Sequence, residues 1–158
     1  MLMTPPSLKE EHKEIMGLLR EYSEIQGETG NAVKKLLDVL EPHFQKEEKL
    51  AMPVLGSLPE LVSGNRLRNL SEIAESQGAL LEEYDGMLEE HSELRKFIAS
   101  TKEIARQEKH QEVIDLLDGL AHHARVEEEV LYPAALLAGT VAKFLIPVQE
   151  QKPMQGIA

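Results

Sequence analysis

The sequence carries two short patterns of histidine and glutamate that suit metal binding. His43 and Glu47 stand four positions apart, and His123 and Glu127 repeat the same spacing. In an α-helix this spacing places both side chains of a pair on one face, one turn apart. Neutral imidazole nitrogens and carboxylate oxygens are common ligands of iron, manganese and zinc. The two patterns therefore predict metal chemistry carried by helices.

Each pattern lies in a longer stretch that recurs in the chain. A Leu, the His, two consecutive Glu and a final Pro coincide when the stretches are aligned on their prolines. A second match pairs His12 with His91, each preceded by two Glu, at almost the same offset that separates His43 from His123. Two related helical hairpins are therefore expected. The matching stretches are Leu40–Pro53 with Leu120–Pro133, and Glu10–His12 with Glu89–His91.

Apolar residues recur at steps of three and four along four stretches, which predicts four amphipathic helices. The first three stripes run from Leu8 to Tyr22, from Val33 to Leu50 and from Ile73 to Thr101, and a turn near Arg106–Gln111 precedes the fourth. The predicted fold class is all-α, an antiparallel up-down-up-down four-helix bundle built from the two hairpins. The fourth stripe comprises Val113, Leu116, Leu120, His123, Glu127, Val130, Ala134 and Leu137.

Helix length places the four histidines in one layer of this bundle. His12 precedes the turn at Gly27 by about as much chain as separates His43 from Asn31, on the other side of that turn. At ~1.5 Å of rise per residue these separations are ~22 and ~18 Å, so the two histidines are nearly level. The other two histidines lie symmetrically about residue 107, and their levels match in the same way.

Six polar positions on the inward stripes therefore form one candidate set. A buried carboxylate is costly unless it is paired or binds a metal ion. Two ions with two His each, bridged by the two Glu, satisfy all six groups, and the ligands suit iron first, then manganese or zinc. The candidate metal ligands are His12, His43, Glu47, His91, His123 and Glu127.

With this set in place, the chain resembles the hemerythrin-like (HHE cation-binding) family over roughly Ser7–Leu145. The pattern of that family, a His on the first helix and His-x-x-x-Glu on the second, occurs here as His12 with His43 and Glu47. A second copy of the pattern follows in the other half of the chain. The resemblance implies a four-helix bundle that holds two iron ions (Fe2+/Fe3+), with an oxo bridge between them as one form.

Two features depart from the oxygen-carrying hemerythrins. Their fifth His, one turn away on the third helix, is replaced here by Met87 or Arg95. Their fourth-helix pair is spaced by five positions, which His122 and Glu127 would meet, whereas the repeat and the apolar stripe select His123. The set of four His and two Glu resembles instead the di-iron core of repair-of-iron-centres proteins, which are linked to damaged iron–sulfur clusters and nitrosative stress.

Three functions are compatible with this set. The first is a di-iron protein whose open centre binds or reacts with O2, NO or peroxide in sensing or stress response. The second is an oxidoreductase or a repair factor that donates iron to damaged iron–sulfur centres. The third is a helical adaptor with a structural metal. Six ligands for two ions leave coordination positions open, which disfavours a closed structural site.

The acidic residues beside the candidate ligands are expected to face solvent. Glu10–Glu11 and Glu89–Glu90 precede a His, and Glu48 and Glu128 each follow a candidate Glu. For the pairs that precede a His, the alternative is a hydrogen bond that an imidazole N–H donates to the carboxylate. For Glu48, Glu128 or Glu129, the alternative is an extra carboxylate ligand at the site. Tyr84 lies on a core stripe two turns before a candidate His, so its hydroxyl is a candidate neighbour of the site.

Composition limits the partners and the location. The 158 residues suffice for one domain, with the bundle over 1–146 and a loosely ordered tail over 147–158. The net charge of −11 disfavours nucleic acid and anionic membranes as partners. The longest apolar stretch, Ala134–Ala142, is far shorter than the ~20 residues that span a bilayer. With no Cys and no apolar leader at Met1–Ser7, a cytoplasmic protein is expected.

Overall fold

The computed structural model describes residues 1–64 and 68–150, and this part of the chain is helical, without a β-strand. The all-α class is therefore confirmed. A π-helical stretch, called the π segment below, lies between α6 and α7. The elements are α1 (Pro6–Tyr22), α2 (Glu28–Leu50), α3 (Met52–Gly56), α4 (Leu58–Val62), α5 (Leu70–Gln107), α6 (Gln111–Val126), the π segment (Glu127–Leu131) and α7 (Tyr132–Glu150).

The long helices pack side by side around a common interior. α1 packs on α2 and α6, α2 also packs on α5, and α5 packs on α6 and α7. The two helices of each predicted hairpin are thus in contact, as a helical bundle requires. The strict antiparallel four-helix order stays a prediction.

Two apolar clusters fill this interior, on either side of a polar layer. Leu36 and Leu94 belong to the first cluster, and Leu80 and Met87 belong to the second. On α5, His91 lies between Met87 and Leu94 and is fully buried. Burial of each large apolar side chain contributes about 1.5–3 kcal/mol. The clusters thus stabilise a fold that also buries polar groups between them.

Glu108, in the turn after α5, caps the start of α2. Its carboxylate accepts hydrogen bonds from the backbone N–H groups of Glu28 and Thr29, at 3.0 and 2.9 Å, and from the Thr29 hydroxyl. N–H groups in the first turn of a helix have no partner within the helix. Gly27 precedes them with φ +111°, and a Cβ there would lie 2.9 Å from Glu108 Oε1. The turn after α5 lies where the sequence predicts it.

The π segment shifts the buried face of the following helix. The fourth stripe predicts that Val130 and Leu137 face the interior, but they are 56% and 63% exposed, and Tyr132 and Ala135 are buried instead. The backbone N–H of Tyr132 bonds to the carbonyl of Glu127, five positions back, so the segment holds one residue more than an α-helical turn. The extra residue rotates every later side chain, and the stripe is wrong beyond this point.

α7 continues beyond the predicted end of the bundle. It runs through Pro147 to Glu150, so the first residues of the predicted tail are helical, and residues 151–158 lie outside the described part. The continuous helix Gln111–Glu150 contains an 18-residue window with a mean hydropathy of 1.6, which is long and apolar enough to cross a membrane. The core helix of a soluble protein meets the same criterion.

Candidate metal centre

The six side chains of the predicted set converge in one buried layer, and none is more than 5% exposed. Four helices and the π segment supply them. His122, the alternative to its neighbour, is exposed, so the structure places His123 in the layer. The contributors are α1 with His12, α2 with His43 and Glu47, α5 with His91, α6 with His123, and the π segment with Glu127.

The six residues form two overlapping groups of four. His12 and His123 form one group with both Glu, and His43 and His91 form the other, again with both Glu. Within each group the ligand atoms all lie within 4.8 Å of one another. We call these groups the His12/His123 position and the His43/His91 position. Because both groups contain Glu47 and Glu127, these two carboxylates would serve both groups if each held a cation.

The Nε2 atoms of the histidines point into this layer. His43 Nε2 lies 2.8 Å from His91 Nε2, and His12 Nε2 lies 3.2 Å from His123 Nε2. His123 Nε2 also lies 2.7 Å from Glu127 Oε1, one turn along the helix. The nitrogens and oxygens of the set therefore face one another rather than solvent.

Two buried oxygens in the layer, Oε2 of Glu47 and Oε2 of Glu127, have no hydrogen-bond partner among the described residues. A buried carboxylate oxygen without a partner costs free energy, and ligation by a cation removes that cost. A cation at each position also gives the facing imidazole nitrogens a ligand bond in place of a shared proton. The donor set therefore fits metal ions that accept nitrogen and oxygen, such as iron, manganese and zinc.

Carboxylates lie behind the histidines, on the outward Nδ1 atoms. Such a bond fixes the tautomer and the orientation of the imidazole, so that Nε2 faces the ion. Glu11 and Glu90 therefore take the alternative role named above, and Glu128, which was not expected to do so, takes the same role. Glu48 lies 3.5 Å from His12 Nδ1, and this nitrogen makes no hydrogen bond within the part of the chain that the structure describes. The bonded pairs are His43 with Glu90 at 2.7 Å, His91 with Glu128 at 2.9 Å, and His123 with Glu11 at 3.0 Å.

Two of these carboxylates are held in turn by cations. Lys46 donates a hydrogen bond to Glu90, and Arg95 Nη1 donates one to Glu128 at 2.7 Å. Within residues 1–64 and 68–150, no Lys or Arg lies within ion-pair distance of Glu11 or Glu48. The outer carboxylates of the two positions are therefore anchored differently.

Tyr132 lies in the same layer as the six candidate ligands, although the sequence pattern did not predict it as a site residue. Its hydroxyl donates a hydrogen bond to the Glu47 carboxylate and lies 3.2 Å from His91 Nε2. Its ring stacks on His91 with centroids 5.5 Å apart. Tyr84, the expected candidate, packs edge-on against the Tyr132 ring at 6.2 Å and forms part of the wall around it.

The π segment explains how Tyr132 reaches the layer. A residue five positions after Glu127 lies about 140° away around an α-helix. The bond from the Tyr132 N–H to the Glu127 carbonyl closes a wider turn, which brings the two residues toward one face. The repeat aligns Tyr132 with Met52, and this mismatch beside otherwise matched ligands was the signal in the sequence.

The carboxylates and burial shift the pKa values of the histidines and the tyrosine in the layer. Burial lowers the pKa of His91, but Glu127 and Glu47 outweigh it and raise the pKa to about 10. Burial likewise lowers the pKa of His123, and Glu127 raises it to about 9. Burial raises the pKa of Tyr132, and Glu47 raises it further, so the hydroxyl keeps its proton. Metal binding would replace the imidazole protons.

A pocket of about 250 Å³ opens between α1 and α2, beside the His12/His123 position. His12, Met16 and Phe44 are its buried residues, and Lys13 and Glu48 are among its more exposed ones. The Phe44 ring stacks on the His12 ring, with centroids 3.7 Å apart and planes within 5°. The pocket therefore lies against His12, although the side chain of this residue stays buried.

Comparison with known proteins agrees with this geometry. Residues 6–135 match the family model described as the hemerythrin HHE cation binding domain. All six residues of the layer lie inside the matched range. Searches of the curated proteins and of the solved structures returned no match.

Proposed function

Because the chain belongs to the hemerythrin HHE cation-binding family, we propose that its two positions hold two iron ions. We propose further that this centre binds or reacts with O2, NO or peroxide in sensing or stress response. The observation that carries the proposal is the sharing of Glu47 and Glu127 between two pairs of buried histidines. Iron supplies the coordination sites and the electrons for such ligands.

The protein side chains orient and shield this centre. The two shared carboxylates hold the positions together, and the outer Glu residues keep each imidazole turned inward. The Tyr132 hydroxyl keeps its proton and donates a hydrogen bond to Glu47, while its ring covers His91. The apolar clusters on both sides limit the access of water. Six protein ligands leave coordination positions for a small molecule.

The residues one turn from His91 favour reaction or sensing over reversible oxygen carriage. Met87 and Arg95 occupy these positions, and neither side chain carries the fifth imidazole of an oxygen carrier. Met87 is fully buried, and Arg95 donates a hydrogen bond to Glu128. Replacement of Met87 by His adds a ligand-type side chain at this level. We expect Met87→His to slow autoxidation of the O2-exposed diferrous protein. Autoxidation at the wild-type rate would count against this assignment.

Metal analysis tests the two-ion proposal directly. Protein purified aerobically from iron-supplemented cells is expected to hold about two irons per chain, with a near-ultraviolet band of an oxo-bridged pair. His123→Gln is expected to lower the iron content, because it removes a buried ligand. His122→Gln is the matched control, since its side chain is exposed at the neighbouring position. Equal iron loss in both variants, or no iron uptake on anaerobic reconstitution, would reject the proposal.

A second function, donation of iron to damaged iron–sulfur centres, is favoured by one observation. Glu11 and Glu48, behind the His12/His123 position, are not anchored by a Lys or Arg of the described residues. Weakly oriented ligands hold an ion less tightly. Incubation of the iron-loaded protein with an apo iron–sulfur protein and sulfide tests this function, with transfer of iron to the acceptor as the expected result.

A further inference from the structure

The internal repeat allows the two metal positions to be compared residue by residue. Lys46 and Arg95 anchor the carboxylates behind the His43/His91 position. At the offsets that align the histidines, these cations correspond to Val126 and Met16. The His12/His123 position therefore lacks, by sequence, both cations that its counterpart has.

The outer carboxylates show the consequence of this difference. The side chains of Glu90 and Glu128, which bind the cations, are 34% and 24% exposed. Those of Glu11 and Glu48, which do not, are 49% and 40% exposed. Glu48 also leaves His12 Nδ1 without a hydrogen bond from residues 1–64 and 68–150. The ligands of the His12/His123 position are therefore oriented by looser partners.

The residues and the pocket beside the two positions also differ. The Tyr132 ring stacks on His91, and its hydroxyl reaches the layer beside the His43/His91 position. Met52, the residue aligned with Tyr132, has no hydroxyl to donate. The pocket between α1 and α2 instead borders His12, on the other position. An aromatic ring lies on one histidine of each position, Tyr132 on His91 and Phe44 on His12. The difference is that a hydroxyl reaches the His43/His91 position, whereas a pocket borders the His12/His123 position.

From these differences we propose that the two metal positions exchange their ions at different rates. The His12/His123 position releases and takes up its ion first, through the pocket between α1 and α2. The His43/His91 position retains its ion and keeps the bundle assembled. The inference rests on the proposed two-metal function, and it assigns that function an ordered path for loading and unloading the centre.

Chelation of the zinc-loaded protein tests the order of release. Zinc keeps the protein diamagnetic, and a chromophoric zinc chelator in excess reports each ion as it leaves. We expect two phases of equal amplitude, one ion in each. Imidazole nitrogen NMR on the half-depleted protein, assigned with His12→Gln and His43→Gln, is expected to show zinc remaining on His43 and His91.

Variants that exchange the anchoring residues between the halves make the test specific. Met16→Arg supplies Glu48 with the cation that Glu128 has, and it fills the pocket. Because partners behind metal ligands are typically worth about 10–100-fold in metal affinity, we expect the fast phase to slow about tenfold. Arg95→Met removes an existing anchor and is expected to accelerate the slow phase by a similar factor.

Lys102→Met is the matched control for the loss of a cation. Lys102 pairs with Asp118 near the α5–α6 turn, away from the layer, so both phases are expected to keep their rates. The thermal melt of each zinc-loaded variant checks that it is folded. Arg95→Met provides an independent test if Met16→Arg does not fold.

The possible outcomes distinguish a failure of this inference from a failure of the proposed two-metal function. A protein that binds fewer than two zinc ions contradicts the proposed two-metal function. Two ions that bind but leave in a single phase overturn the inference alone. Retention of zinc at His12 and His123 in the half-depleted protein also overturns it. So does a slow phase whose rate is the same in Arg95→Met as in the wild-type protein.

Discussion

Raising the pH is expected to destabilise the metal-free protein strongly. His91 is fully buried, and its pKa rises from the ordinary 6.5 to about 10 because Glu127 and Glu47 outweigh the effect of burial. A raised pKa in the folded state means that the protonated imidazole stabilises the fold. That stability is fully present below pH 6.5 and is lost as the pH approaches 10.

The raised pKa values set the size of the effect. A difference of one pKa unit corresponds to about 1.4 kcal/mol, so the rise in the pKa of His91 is worth about 5 kcal/mol. His123, with a pKa of about 9, adds a contribution of about 3 kcal/mol. These values approach the whole stability of a typical domain, about 5–15 kcal/mol. The metal-free protein is therefore expected to lose a large part of its stability progressively between pH 6.5 and pH 10.

Urea unfolding in the presence of a chelator, from pH 6 to pH 10, measures this loss. The zinc-loaded protein is the control, because the ion replaces the protons and its stability is expected to change much less over this range. His91→Gln is expected to flatten the pH dependence of the metal-free protein. A free energy of unfolding that is constant from pH 6.5 to pH 10 would refute the charged imidazole–carboxylate layer.

Three further substitutions test the site and its support. Glu47→Gln is expected to reduce bound metal below two ions per chain by elemental analysis, because it weakens a shared carboxylate; an unchanged content would show that this residue does not bridge. Gly139→Ala places a Cβ against the Cβ of Gln77, well inside van der Waals contact, and is expected to cost about 1–3 kcal/mol in urea unfolding; wild-type stability would contradict the close packing of α5 on α7. Leu36→Ala removes a fully buried side chain and is expected to cost about 2–5 kcal/mol, whereas Leu81→Ala, at a position 56% exposed, is expected to change stability little.

The convergence of the six side chains was accessible from the sequence because two independent regularities agree. The i, i+4 spacing fixes which face of a helix a pair occupies, and the repeat fixes which residues share a level. The choice of His123 over His122 followed from the same regularities, and the exposed position of His122 is consistent with it. That these side chains bind metal stays a prediction that metal analysis must test.

Other features depend on information that periodicity does not carry. The hydrogen bonds that His43 and His123 donate to Glu90 and Glu11 connect the two hairpins, so local sequence cannot show them. In a sequence, a charged residue on the flank of a helix has the same spacing whether its side chain faces water or an imidazole. Tyr132 was overlooked because a count in steps of three and four places it off the inward face. In the sequence, only its alignment with Met52, beside ligands that do match, marks Tyr132.

The extra residue in the π segment sets the register of α7. The number of residues in this segment therefore decides which side chains of α7 face the core. Deletion of a single residue between Glu127 and Tyr132 would restore an α-helical turn and rotate α7 by about 100°. Leu137 and Phe144, now exposed, would turn relative to α5, and Ala135 would leave the core. Alignments of this chain with other sequences therefore need a one-residue gap to be allowed here. A relative that lacks this residue would present a different side chain to the centre in place of Tyr132.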